Sequence, residues 1–170
     1  LLYEPPTTTL IHAFLNSHLD YCNALFHNLP MTLLHKLQMI QNTAARIISN
    51  TPTRQHITPV IEQLHWLKVE ERIKFKILLL CFKTLNGQGP EYLSDLIKLY
   101  KPSRDLRSRN QYKLDDSTVK FRLKKFGGRA FCNSAPKLWN SLPIHVKKSP
   151  SIETFKTNLK TYLFDSCYNE

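Results

Sequence analysis

The sequence predicts a mainly α-helical fold: a helical hairpin, further packed helices and a small β-hairpin near residues 105–126. Two observations predict it. Apolar residues recur at spacings of three and four in successive stretches bounded by proline or glycine, which is the period of helices burying one face. One stretch, 119–124, instead alternates apolar with basic residues, the two-residue period of a half-buried strand. A chain of 170 residues is long enough to bury a core.

Residues 7–28 read as the first helix, with Ile11, Phe14, Cys22, Leu25 and Phe26 on one stripe. Pro5 and Pro6 stand ahead of it, and Pro30 closes it by disfavouring the α conformation before itself. The second helix spans about 32–49, with Leu33, Leu37, Ile40, Ala44 and Ile47 facing inward and Leu34 and Ile48 widening that face. The short link makes the two a hairpin. Asn50-Thr51-Pro52-Thr53 is a break, and Thr58-Pro59 marks the N-cap and first position of a short helix ending near Leu64. Residues 68–86 form a third long helix, acidic in its first turn and followed by Gly87 as a C-terminal cap. Its run 77–82 is apolar on every face, so Ile77 and Leu80 are expected to be fully buried. Pro90 opens another helix with Tyr92, Leu93, Leu96 and Leu99 inward. The expected β-hairpin pairs 119–124 with 107–114 across an Asp115-Asp116-Ser117 turn. Residues 129–141 read as a helix interrupted at Pro136. Ser151 caps a last helix that buries Ile152, Phe155, Leu159 and Leu163. The organisation divides at residue 50, into a hairpin over 1–50 and a mainly helical region over 51–170 with a basic β segment at 101–130.

Charge is distributed unevenly. The net charge is +11, yet residues 1–50 are neutral and residues 131–170 carry only +2. Residues 101–130 hold ten basic and three acidic groups, a net +7. A field concentrated in this way points to a polyanionic partner, nucleic acid before anionic membrane. The candidate contacts are Arg104, Arg107, Arg109, Lys113, Lys120, Arg122, Lys124, Lys125 and Arg129, interleaved with Tyr112, Phe121 and Phe126. Alternation on the strand places Lys120, Arg122 and Lys124 on one face for phosphates, leaving Phe121 and Leu123 to pack.

Little else in the chain suggests chemistry. Asp115-Asp116 is the only paired aspartate, and Tyr112 stands one residue too early for the aromatic-x-Asp-Asp turn that holds two polymerase metals. Four glycines, at 87, 89, 127 and 128, write neither a phosphate loop nor a dinucleotide fingerprint. The histidines lack the spacing of metal ligands, and the cysteines at 22, 81, 132 and 167 are too far apart for a zinc pair. Reduced, mostly buried thiols and an intracellular setting follow, with no catalysis, cofactor or metal expected. The longest apolar run, six residues, is too short for a membrane span. The chain opens Leu1-Leu2-Tyr3 without a methionine or a secretory leader, so it reads as starting inside a longer frame.

The words of the sequence are more specific than its composition. His18-Leu19-Asp20-Tyr21-Cys22-Asn23-Ala24-Leu25 and Leu37-Gln38-Met39-Ile40-Gln41-Asn42-Thr43-Ala44-Ala45-Arg46 resemble the region that follows the polymerase core in LINE-type non-LTR retrotransposons of the chicken-repeat and jockey-like clades. The resemblance continues in order through Leu64-His65-Trp66-Leu67, Pro102-Ser103-Arg104-Asp105-Leu106-Arg107-Ser108 and Ala135-Pro136-Lys137-Leu138-Trp139-Asn140-Ser141-Leu142-Pro143. His18 and Gly128 depart from the family's usual residues. The resemblance implies the C-terminal part of a reverse transcriptase, with 1–50 thumb-like and 51–170 post-thumb. The catalytic polymerase core would lie upstream, and the setting would be a nuclear and cytoplasmic ribonucleoprotein.

The leading expectation is therefore a non-catalytic segment gripping RNA or an RNA–DNA duplex, with the upstream polymerase core as its other partner. A helical protein-interaction module, a fragment or host-adopted remnant of a retroelement, is the alternative, and apolar surface left exposed on the first two helices would favour it. Attachment to anionic membrane ranks last, because no helix combines strong amphipathicity with a lysine-rich face. Trp66 and Trp139 are expected to pack in the core before they stack on bases. Gln41 and Asn42 are expected to satisfy buried polar groups.

Overall fold

The computed structural model describes residues 6–100, 112–116 and 130–168, and in them the backbone is built of packed helices and turns. No helix among the described residues is long and apolar enough to cross a membrane. The chain forms two units, one of residues 1–73 with 163–170 and the other of residues 74–162.

In the first unit, α1 (Pro6–Ile11) runs through a wider π-helical turn, His12–Asn16, into α2 (Ser17–Asp20). The helix predicted to reach residue 28 ends at Asp20. Tyr21 turns extended and Cys22 adopts a left-handed conformation at φ 50°, leaving only a 3-10 turn at Asn23–Phe26. Side-chain hydrogen bonds compete with the helix here. Asp20 accepts a two-pronged bond from Arg72 at 2.9 and 2.6 Å and a third from Asn23 at 3.3 Å. The expected stripe fails with the helix: Phe14, Cys22 and Leu25 are exposed, and Leu19 is buried in their place.

The second long helix, α3 (Met31–Ser49), matches its predicted span but turns a different face inward. Leu34, Gln41, Ala44 and Ala45 are buried, while Leu33, Ile40 and Ile47 are exposed. Polar satisfaction explains the rotation. Gln41 donates to the Leu67 carbonyl at 2.9 Å, and Gln38 accepts from the Val69 amide at 2.9 Å. Gln38 also donates to Gln41 and Asn42. The two glutamines thereby clasp the turn leading into α5 (Val69–Leu85), whose backbone groups need partners once buried. Asn42 receives a bond within this network, as the sequence suggests, although it is only half-buried.

The small side chains of Ala44 and Ala45 pack with Ile57, Trp66 and Ile61 of α4 (Thr58–Gln63), and Ile11 and Leu15 close over this cluster to complete the hairpin. Arg46 donates to the Pro52 and Gln55 carbonyls, so the proline break after α3 is stitched to the helix it follows. The short helix α4 begins at Thr58, which makes Ile57 rather than Thr58 its cap.

In the second unit, Ile77, Leu78, Cys81 and Phe82 of α5 are buried, whereas Leu80, expected to be fully so, is half-buried. Gly87 follows the helix at φ 68°, and the Gln88 amide donates to the Lys83 carbonyl, as a left-handed C-terminal cap requires. The next helix, α6 (Glu91–Ser94), is a single turn. Leu93 and Ile97 point inward, and Tyr92, Leu96 and Leu99 are exposed, contrary to the longer predicted helix. Its chain leaves α6 early because residues 98–100 pair with residues 113–115.

Helix α7 (Phe131–Ser141) passes through Pro136 without interruption, its ring fully buried. A short helix, α8 (Ile144–Lys147), and the long α9 (Ile152–Tyr168) follow. Ser151 caps α9 as predicted, accepting from the Thr154 amide at 3.1 Å. Phe155, Leu159 and Leu163 are buried and Ile152 half-buried. Phe155 stacks on Phe82 with centroids 4.1 Å apart and lies 6.1 Å from Trp139. Trp66 and Trp139 are both buried, in agreement with their expected packing role.

The expected β-hairpin falls mostly outside the described residues. Its described part, 112–116, makes one isolated antiparallel bridge, in which Leu114 pairs with Leu99. Strand 119–124 itself lies outside the described residues.

Candidate nucleic-acid interface

Eight of the nine predicted contacts, Arg104, Arg107, Arg109, Lys120, Arg122, Lys124, Lys125 and Arg129, lie outside the described residues. Lys113 is described, and its surroundings define how the basic segment is fastened. The Tyr100 amide donates to the Lys113 carbonyl at 2.9 Å, and the Asp115 amide to the Lys98 carbonyl at 2.9 Å. Asn140 of α7 serves Leu114 as a strand partner would, accepting from its amide at 2.9 Å and donating to its carbonyl at 3.0 Å. The Trp139 indole donates to the Tyr112 carbonyl at 2.7 Å, where Tyr112 stands in the left-handed region at φ 47°. Leu114 is pinned under this stitch at 1% exposure. Backbone and side-chain bonds together satisfy polar backbone groups of residues 113–115. Asp115 and Asp116 are both exposed just beyond the bridge.

Two lysines that the sequence reading passed over come close to this stitch. Lys147, at the end of α8, is buried and donates to the Asn140 carbonyl at 3.2 Å. Burial, and then the nearby Lys113 charge, lower its pKa from the ordinary lysine value. Lys148 is exposed, and its ammonium lies 5.5 Å from the centroid of the Tyr112 ring. The field of Lys113 thus extends to two further cations rather than ending with its own segment. Net charge per segment hid them, since 131–170 totals only +2, and the tandem Lys147-Lys148 was the sequence signal available.

Among the described residues no group of three His, Cys, Asp or Glu side chains is placed to hold a metal. Of the four cysteines, only Cys81 is buried, and burial pushes its thiol far above the reactive range. Cys22 is exposed, which corrects the expectation of mostly buried thiols. Scans against protein-family models, curated proteins and solved structures find no match to this chain.

Proposed function

We propose that this chain is a non-catalytic nucleic-acid-binding module, the C-terminal part of a retrotransposon-type reverse transcriptase, which grips RNA or an RNA–DNA duplex through its basic surface. The observation that supports it is the stitch at 112–115. It anchors the middle of a thirty-residue segment of net charge +7 to a folded unit, so that phosphate contacts would act against a fixed support. A salt titration of binding to a labelled RNA–DNA duplex tests it. Four to six phosphate contacts predict a log–log slope of roughly −3 to −5. Neutralising Arg122, Lys124 and Lys125 together reduces that slope by up to about three, whereas neutralising Lys156 and Lys160 changes it little. Equal slopes for all three proteins would remove the basic segment from the mechanism.

The second reading, a helical protein-interaction module, is favoured by one observation. Leu33, Ile40 and Ile47 stand at seven-residue spacing on α3 and are 44%, 50% and 58% exposed. An apolar seam of that period suits an opposing helix better than a phosphate backbone. The upstream polymerase core is the partner that the family resemblance offers for it.

A further inference from the structure

Beside the stitch of residues 112–115 lies a cavity of about 420 Å³, within the usual size range of small-ligand sites. The buried rings of Phe82 and Trp139 contribute its apolar wall, and Tyr112, Lys147, Lys148 and Ser149 contribute its polar lining. The polar groups are unevenly satisfied. Ser149 donates to the Val146 carbonyl at 2.8 Å and accepts from Asn158 at 3.2 Å, so its hydroxyl is engaged. Lys147, at 8% exposure, has the Asn140 carbonyl as acceptor for one of its three ammonium protons. Among the described residues neither lysine of the cavity, nor Lys113 nearby, forms an ion pair.

A lysine packed into the fold beside two further cations repels them, and an anion placed among the three offsets that repulsion. The cavity therefore has the chemistry to take a group that is negative at one end. Its other requirement comes from the aromatic lining. Tyr112 is 51% exposed, its left-handed backbone carbonyl accepts from the Trp139 indole, and the Lys148 ammonium lies 5.5 Å from the centroid of its ring. An exposed aromatic ring next to lysines is how proteins hold single-stranded nucleic acid without reading its sequence.

We propose that this cavity seats one unpaired nucleotide of a bound RNA strand, with its phosphate against Lys147 and Lys148 and its base on the Tyr112 ring. The proposal rests on the nucleic-acid reading above and adds to it. The basic segment grips any backbone, whereas the cavity favours a strand whose bases are free.

Fluorescence anisotropy with two probes tests it: a short labelled single-stranded RNA, and the same RNA fully paired to DNA. Tyr112→Asn removes the ring while keeping a residue that tolerates the left-handed backbone. It is expected to weaken the single strand roughly fivefold or more, by loss of one stacked base, and to leave the duplex close to wild type. Lys148→Gln, at an exposed position that does not threaten folding, is expected to lower the single-strand salt slope by about one. Lys147→Met is expected to do the same while keeping the buried volume filled. If Tyr112→Asn weakens both probes equally, or Lys148→Gln leaves the salt slope unchanged, the cavity is not a nucleotide seat. Wild-type protein that binds neither probe would overturn the nucleic-acid reading together with the cavity. Wild-type protein that binds both, with variants that bind as well, overturns the cavity alone.

Discussion

The two units solve the problem of burial by different means. The first packs small side chains, Ala44 and Ala45, against Ile57, Ile61 and Trp66, and relies on buried amides to join its pieces. It leaves large apolar residues, including Phe14, Leu25 and Ile40, on its surface. The second packs large rings, Phe82, Trp139 and Phe155, and carries Lys147 and Lys148, which form no ion pair among the described residues, beside that aromatic core. The second unit exposes Tyr92, Leu96 and Leu99 as well, so the contrast lies in its neighbouring lysines, Lys147 and Lys148, set against the heptad-spaced apolar seam of α3, and these imply different kinds of partner. The comparison also shows that an apolar stripe in a sequence marks a core only where no buried polar group outranks it. In α3 the glutamines decided which face turned inward.

The aromatic core is the easiest part to break. Phe155 is fully buried between two ring partners, so Phe155→Ala is expected to cost about 3–5 kcal/mol through lost transfer energy and an unfilled cavity. Urea unfolding with an unchanged m-value measures it. A loss below about 1 kcal/mol would mean that the ring stack is not the core of the second unit. The amide clasp of the first unit has a smaller expected worth. Gln41→Leu keeps the volume but leaves the Leu67 carbonyl buried without its donor, a cost of about 1–3 kcal/mol. If Gln41→Leu is neutral or stabilising, the clasp does not orient α3, and the contrast between the units loses its physical basis.

What was legible in the sequence follows from the same contrast. The helical class, the bounds of α3, the Gly87 cap, the Ser151 cap and the stripe of α9 were all readable, because local patterns produce them. The end of the first helix at Asp20 was not, because the partner that draws Asp20 away is Arg72, fifty-two residues later. Nor was the pairing of Leu114 with Leu99: alternation predicts a strand but does not choose its partner. The part of the candidate interface built around Lys113 was visible as charge. Lys147 and Lys148 were obscured, because three acidic residues elsewhere in 131–170 nearly cancel its five basic ones in the total. Charge counted along a chain averages over groups that the fold separates, and misses cations that the fold brings together.

The smallest expected effect is also the one that tests the face of α3 most directly. Ile40→Ser lies at the centre of the stripe that periodicity assigned to the core, yet in the structure Ile40 is half-exposed. A core isoleucine cut to serine would cost about 2–5 kcal/mol. A surface one is expected to change stability by no more than about 0.5 kcal/mol either way. Thermal and urea unfolding of the single variant separate the two outcomes, since the expected ranges do not overlap. A small change leaves Leu33, Ile40 and Ile47 as a seam free for an opposing helix, the condition on which the protein-interaction reading depends. A large one would return Ile40 to the interior, remove that seam, and leave the lysines of the second unit as the stronger ground for assigning a partner.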